Sequence, residues 1–429
     1  LLPATASGRT WFVAVDGSGD APTIQAGIDS AQAGDEVVLG PGTYTRTAQG
    51  DNGDPLNLSM VVLENGVNLQ GQVGPEATVL DGEDGARLVW GSNVGAMRIE
   101  GLTFTGGLAS GAYGGGAIAI IGNSTPTISN CIIRDNRAGE GLNGGGLYSE
   151  LPTTLTIARC QILNNRTMDG FGGGLVCRAG SIDSSIFRGN ESHGQQAVGG
   201  ALLSRGMLVR DCTFQDNRAS GWDLGSGGAI RDSGGSQISR CTFIRNKAEA
   251  ASIGNGLGGG IYAFGACVIS ECIFVGNVAV MYPAGGAVYG SSGNVSVERC
   301  TIVGNAALDP GGTPWGTAGV VIHGPGNLSN SIIAFNRGSS CSVATSSCNL
   351  FFGNGPSVSM CDSESGGNIM ADPQFCATDP TTSLSFLLQS DSPCAPVTGG
   401  CGLIGAAPVG CGSVQVAQPT WSQVKTLFR

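Results

Sequence analysis

A tandem repeat constrains this chain more than any other feature, because repeats of this length stack on their neighbours and do not fold alone. Cys131, Cys160, Ser185, Cys212, Cys241, Cys272, Cys300 and Ser331 align as one position. Five residues after each stands an asparagine: Asn136, Asn165, Asn190, Asn217, Asn246, Asn277, Asn305 and Asn336, at spacings of 25 to 31 residues. Two residues after the Cys position comes a large apolar residue, as at Ile133, Phe187, Phe214, Phe243 and Phe274. Three residues before it comes another, as at Ile128, Ile157, Val209 and Leu328. Each unit but the last also carries a glycine cluster ahead of a small or apolar residue, as at Gly114–Ala117 and Gly258–Ile261.

Short runs with a period of two read as strands with one buried face. Runs this brief, broken by Asn and Gly, cannot sustain helices. One unit therefore makes about three short strands, and units stacked ~4.8 Å apart place like residues over one another. Stacked asparagines can pass amide hydrogen bonds between units, which satisfies a buried polar group. The reading is all-β: a right-handed parallel β-helix solenoid of about 12 coils. Insertions are expected between the Asn and the glycine cluster, where the spacing varies.

The runs ISNCIIRDN, ISRCTFIRN, ISECIFVGN and VERCTIVGN resemble secreted bacterial right-handed β-helix proteins of the pectate-lyase-like superfamily. So do the opening VAVDGSGDAPTIQAGIDSAQAGDEVVLGPGTYT and the closing ADPQF and LLQSDSPC. The resemblance spans nearly the whole chain and implies the fold. It leaves function open, because this fold hosts lyases, hydrolases, adhesins and passenger proteins.

Four segments follow. Residues 1–36 hold an N-terminal strand and a capping helix, the latter expected over 22–33 with Ile24, Ile28 and Ala31 on one face. Residues 37–340 form the β-helix, regular over 106–340. Residues 341–411 hold seven cysteines (Cys341, Cys348, Cys361, Cys376, Cys394, Cys401, Cys411), which read as a disulfide-stapled cap. Cys341–Cys348 and Cys394–Cys401 are the nearest pairs and the first expectation for bonds. Residues 412–429 read as a linker and an amphipathic tail, with Trp421, Val424 and Phe428 on one side.

Fifteen cysteines, two histidines and no CxxC pair argue for an oxidising compartment over zinc. The start, Leu1–Gly8, resembles the end of an export signal, so the chain is expected to be secreted or at the cell surface. A net charge of −11 excludes nucleic acid as an expected partner, and no apolar run is long enough to span a membrane. Within the ladder, Cys131, Cys160, Cys212, Cys241, Cys272 and Cys300 are expected as buried free thiols, because their side chains run parallel. Cys177 and Cys267 lie off it and are expected buried and unpaired.

The position after the ladder Asn is basic in five of eight units: Arg137, Arg166, Arg218, Lys247 and Arg337, broken by Glu191. This is either a stripe for acidic glycans or a solvated turn. Asp135, Asp211, Asp216 and Asp232 are scattered singly and assemble no acid pair of the kind glycoside cleavage needs. Asp16, Asp20, Asp51 and Asp54 could hold a structural Ca²⁺, or form turns in glycine-rich loops. No catalytic residue and no other cofactor is expected.

The function expected from these features is a non-enzymatic secreted structural protein, a rigid rod that self-associates through its terminal segments. Trp421, Val424 and Phe428 would dock, with Trp11–Val15 as the receiving segment. The alternatives are a polysaccharide lyase or glycosidase, and an adhesin that binds extracellular glycans.

Overall fold

In the computed structural model, one turn of chain runs Thr127–Ser129, Ile132–Arg134, Arg137–Ala138, Leu147–Ser149 and then Leu155–Ala158, which pairs beside the first of these. The structure describes residues 8–53, 58–251, 254–282, 284–355, 361, 366–377, 386–396 and 400–412. In the regular region the turns add strands to sheets I, II, IV and III in that order, sheet IV holding the strands from Leu108–Ala109 to Ala306–Leu308. The whole is a parallel β-solenoid of about 11 turns. Among the described residues the only helices are Ile24–Ser30 and Arg46–Gln49.

The chain divides into two compact units, residues 1–194 with 201–207, and residues 195–200 with 208–429. In the first, sheet I runs from Thr10–Val13 to Gly180–Asp183, sheet II from Gly42–Thr45 to Ile186–Arg188, and sheet III from Ser59–Val62 to Leu202–Ser204. The helix Ile24–Ser30, N-capped by the Thr23 hydroxyl, buries Ile24, Gly27 and Ile28. At Gly27 a Cβ would lie 3.1 Å from Val13 and 3.3 Å from Val37, so glycine permits the helix to seat on these strands. Tyr44 donates its hydroxyl to the Val13 carbonyl at 2.8 Å and closes the same end. Trp11 pairs within sheet I opposite Val37.

In the second unit, sheet II runs from Thr213–Gln215 to Ile369–Met370 and sheet III from Ile230–Asp232 to Ser339–Ser342. Pairing continues past residue 340, because Thr345–Ser347 joins sheet I and Leu350–Phe352 joins sheet II. The outward positions of sheet II turn apolar here: Val275, Val303, Ile332 and Ala334 are buried. The C-terminal region lies across that face, with Phe386, Leu388, Cys394 and Ile404 in one cluster with them. It covers a side of the solenoid.

Three disulfides staple this region: Cys341–Cys361, Cys348–Cys401 and Cys376–Cys411. The expected bonds Cys341–Cys348 and Cys394–Cys401 do not form. Cys341 lies on sheet III, whereas Cys348 is the left-handed corner residue (φ 56°) that follows the sheet I strand Thr345–Ser347. The few residues between them turn from one face to another, which parts their side chains. Cys394 is buried and unpaired.

Candidate functional site

Two left-handed corners recur in every regular coil. The residue before the ladder Cys has φ near +50°, as at Asn130, Arg159, Asp211, Arg240, Glu271 and Arg299. The residue before the ladder Asn does likewise, as at Asp135, Asn164, Asp216 and Arg245. Such backbone is costly for residues other than glycine, and here stacking compensates it. Asn136 donates Nδ2 to Asn165 Oδ1 at 3.0 Å, and Asn165 to Asn190 at 3.1 Å. In the second unit Asn217, Asn246, Asn277, Asn305, Asn336 and Asn354 form the same chain at 2.9–3.0 Å. Asn354 follows Asn336 by only 18 residues, outside the repeat's spacing. Inside, Phe214, Phe243 and Phe274 stack with centroids 5.0 and 4.6 Å apart.

The side chains at these corners pair between coils. Arg240 holds Asp211 and Arg245 holds Asp216, each through two 2.8 Å hydrogen bonds. The Arg240 hydrogen bonds hold the Asp211 carboxyl below its ordinary range. Asp135 lies 3.0 Å from Arg134, and buried Asp232 accepts from Ser236. The basic positions after the ladder Asn are similarly engaged. Arg166 meets Glu191 at 3.6 Å, while Arg218 and Lys247 share Glu249. Burial pushes the Glu249 carboxyl up, and the two cations outweigh it and bring it below its usual range. The stripe is therefore largely neutralised by inter-coil and local pairs.

Three of the N-terminal acids have partners of their own. Asp16 accepts from Ser18, Asp20 accepts from the Phe12 amide, and Asp51 accepts from Arg46 at 2.7 Å. Asp54 lies outside the described residues, as do Trp421, Val424 and Phe428. Among the described residues no group of three His, Cys, Asp or Glu side chains is placed to hold a metal ion. The ladder cysteines and Cys177, Cys267 and Cys394 are buried thiols without disulfides. Burial pushes Cys177 and Cys394 up to about 12. Among the described residues neither histidine belongs to a group of three such side chains, and His323 is exposed and meets the Tyr289 ring edge-on at 5.4 Å.

Two features escaped the sequence reading. Arg87 is fully buried and donates to the carbonyls of Tyr113, Gly114 and Gly115. Burial lowers it to about 10, which leaves it cationic at neutral pH. The second is a cleft of about 490 Å³ in the first unit, at the corner between sheets I and II. Gln70, Gln72, Glu100, Asn130, Arg159 and Gln161 line it, with Val73 and Pro75 on its apolar side. Arg159 Nε donates to Asn130 Oδ1, and Asn130 Nδ2 donates to Glu100 Oε1, both at 2.9 Å. Glu100 also meets Arg98 at 3.4 Å. No charge run or short motif marks these residues, because they come from coils about 30 positions apart in sequence.

Comparison with known proteins bears on the fold. Among solved structures, pectate lyase Pel9A is similar at a TM-score of 0.46 and 15% identity, over 94% of this chain and 97% of that one. The A-module of the Azotobacter vinelandii mannuronan C-5 epimerase AlgE6 is similar at 0.39 and 16%, over 82% and 95%. No curated protein matches the sequence. The family described as right handed beta helix region matches residues 84–206 and 177–354, more than half of the chain. With its stacked parallel sheets and asparagine ladder, this chain belongs to the right-handed β-helix family.

Proposed function

We propose that this protein is a non-enzymatic, extracellular structural β-helix that works as a subunit of a larger assembly. One observation carries the reading: Asp135, Asp211, Asp216 and Asp232 are each engaged in a corner ion pair or a local hydrogen bond. Cleavage of a glycosidic bond needs two carboxyl groups facing one another across the substrate, and these acids are distributed along the solenoid. Three disulfides favour an oxidising, extracellular setting. The tail sequence TWSQVKTLFR, with Trp421, Val424, Leu427 and Phe428 among its ten residues, supports docking to a neighbour.

The test has two arms. The full chain is incubated with neutral and acidic polysaccharides, with and without calcium, and assayed for unsaturated products and new reducing ends. No turnover is expected, and either product would overturn the non-enzymatic reading. Native protein is imaged by electron microscopy at low and high concentration. Ordered oligomers or filaments are expected, whereas single particles throughout would overturn the assembly.

A further inference from the structure

In the second unit the outer face of sheet IV changes from charged to apolar. The register sets Arg218, Lys247, Val278 and Ala306 in one row, and Ser220, Glu249, Val280 and Leu308 in another. The first two coils saturate their charges, because Arg218 and Lys247 share Glu249. In the next two, Val278, Val280 and Leu308 stay partly exposed. Tyr282 and Trp315 border them, with ring centroids 5.2 Å apart and exposures of 49% and 51%. The loop that carries Trp315 is fixed in place. The Trp315 amide donates to the Ala307 carbonyl at 2.8 Å, and Arg337 donates to the Gly312 carbonyl. In the same loop Asp309 accepts from the Thr313 amide and forms no ion pair among the described residues. The apolar face of sheet II is covered by the C-terminal region, whereas among the described residues nothing hides these two rings. An exposed apolar surface of this kind marks an interaction site.

We propose that this face of sheet IV receives the C-terminal tail, residues 420–429, of a second copy of the chain. The inference rests on the assembly reading and names its surface. The described residues end at Gly412, just past the Cys376–Cys411 disulfide, and 17 residues follow. Of these, residues 413–419 span roughly 25 Å when extended, which lets the last ten leave their own molecule. In those ten, Trp421, Val424 and Phe428 stand at i, i+3 and i+7, the spacing of anchors that lay one helix face onto an apolar surface. Trp421 and Phe428 match Tyr282 and Trp315, because aromatic pairs gain energy beyond their buried area. Charge favours the same contact. Residues 413–429 carry Lys425 and Arg429 and no acid, so a tail of +2 meets a remainder of −13. Asp309 offers that tail a carboxylate beside the rings. Each copy holds one tail and one receiving face, so the contact passes from copy to copy.

The experiment places a photoreactive benzoylphenylalanine at position 421 of the full chain. Unlabelled and ¹⁵N-labelled chains are mixed, irradiated and digested, and mass spectrometry locates the cross-links. Links from position 421 to peptides containing Tyr282 or Trp315 are expected, joining one chain of each isotope. In sedimentation, Tyr282→Ser/Trp315→Ser is expected to associate about tenfold more weakly. Leu208→Ser, which alters an exposed apolar residue of sheet I, is expected to associate like wild type. Thermal unfolding by circular dichroism establishes that the variants fold, and the cross-link requires no change to the receiving face. Links confined to one copy, links to another surface, or association indifferent to the double variant would overturn the receiving face and leave the assembly reading in place. No association at any concentration would overturn both.

Discussion

A buried asparagine is tolerated in an apolar interior only if its whole amide is used. Asn277 meets that condition. Its Oδ1 accepts from the amide and side chain of Asn246 at 3.0 and 2.9 Å. Its Nδ2 donates to the Phe243 carbonyl and to Asn305, both at 2.9 Å. Asn277→Ala therefore strands groups on both neighbours, each at about 1–3 kcal/mol. A loss of about 3 kcal/mol or more is expected in urea unfolding, and a loss below about 1 kcal/mol would show that the ladder is not energetically coupled. The corner residues follow the same logic: Arg240 and Asp216 occupy left-handed backbone because a partner one coil away holds them.

At the scale of elements, the outer face of sheet II changes character along the second unit. Gln215 stands outward near its start, whereas Val303, Ile332 and Ala334 stand outward farther along and are buried. An apolar face of this kind must be covered, and Phe386, Leu388, Cys394 and Ile404 cover it. Phe386 is 2% exposed and packs edge-on against Phe375 at 5.2 Å. Phe386→Ala should cost about 3–5 kcal/mol and open the C-terminal region to limited proteolysis while the ladder coils stay protected. Proteolysis that remains like wild type would mean that the disulfides alone hold the region down.

For the whole molecule, cysteine chemistry divides sharply. Six cysteines are bonded in the C-terminal region, and nine are buried free thiols. Burial closes these thiols to reagents in solution, and it pushes Cys177 and Cys394 up to about 12. A maleimide applied to native protein should add no label, and nine labels should appear after unfolding without reductant. Labels on the native protein, or fewer than nine on the unfolded chain, would contradict this division. Such a protein combines an oxidised stapled end with a reduced stacked interior, and the interior needs no cross-link because each coil is held by its neighbours.

The amino-acid sequence by itself determined the repeat, the parallel stacking and the rows of Asn, Cys and Phe. A period repeated across eight units writes each contact several times. Tertiary structure alone decided what depends on single, distant meetings. Cys348 pairs with Cys401 across 53 residues and not with nearby Cys341, because the solenoid's faces set which side chains can meet. The coil ending at Asn354 escaped the spacing rule because it is 18 residues long, yet its asparagine still completes the ladder. The cleft is the clearest case: Gln70, Asn130 and Gln161 are ordinary polar residues in the chain. Only the stacking of successive coils gathers them around one space.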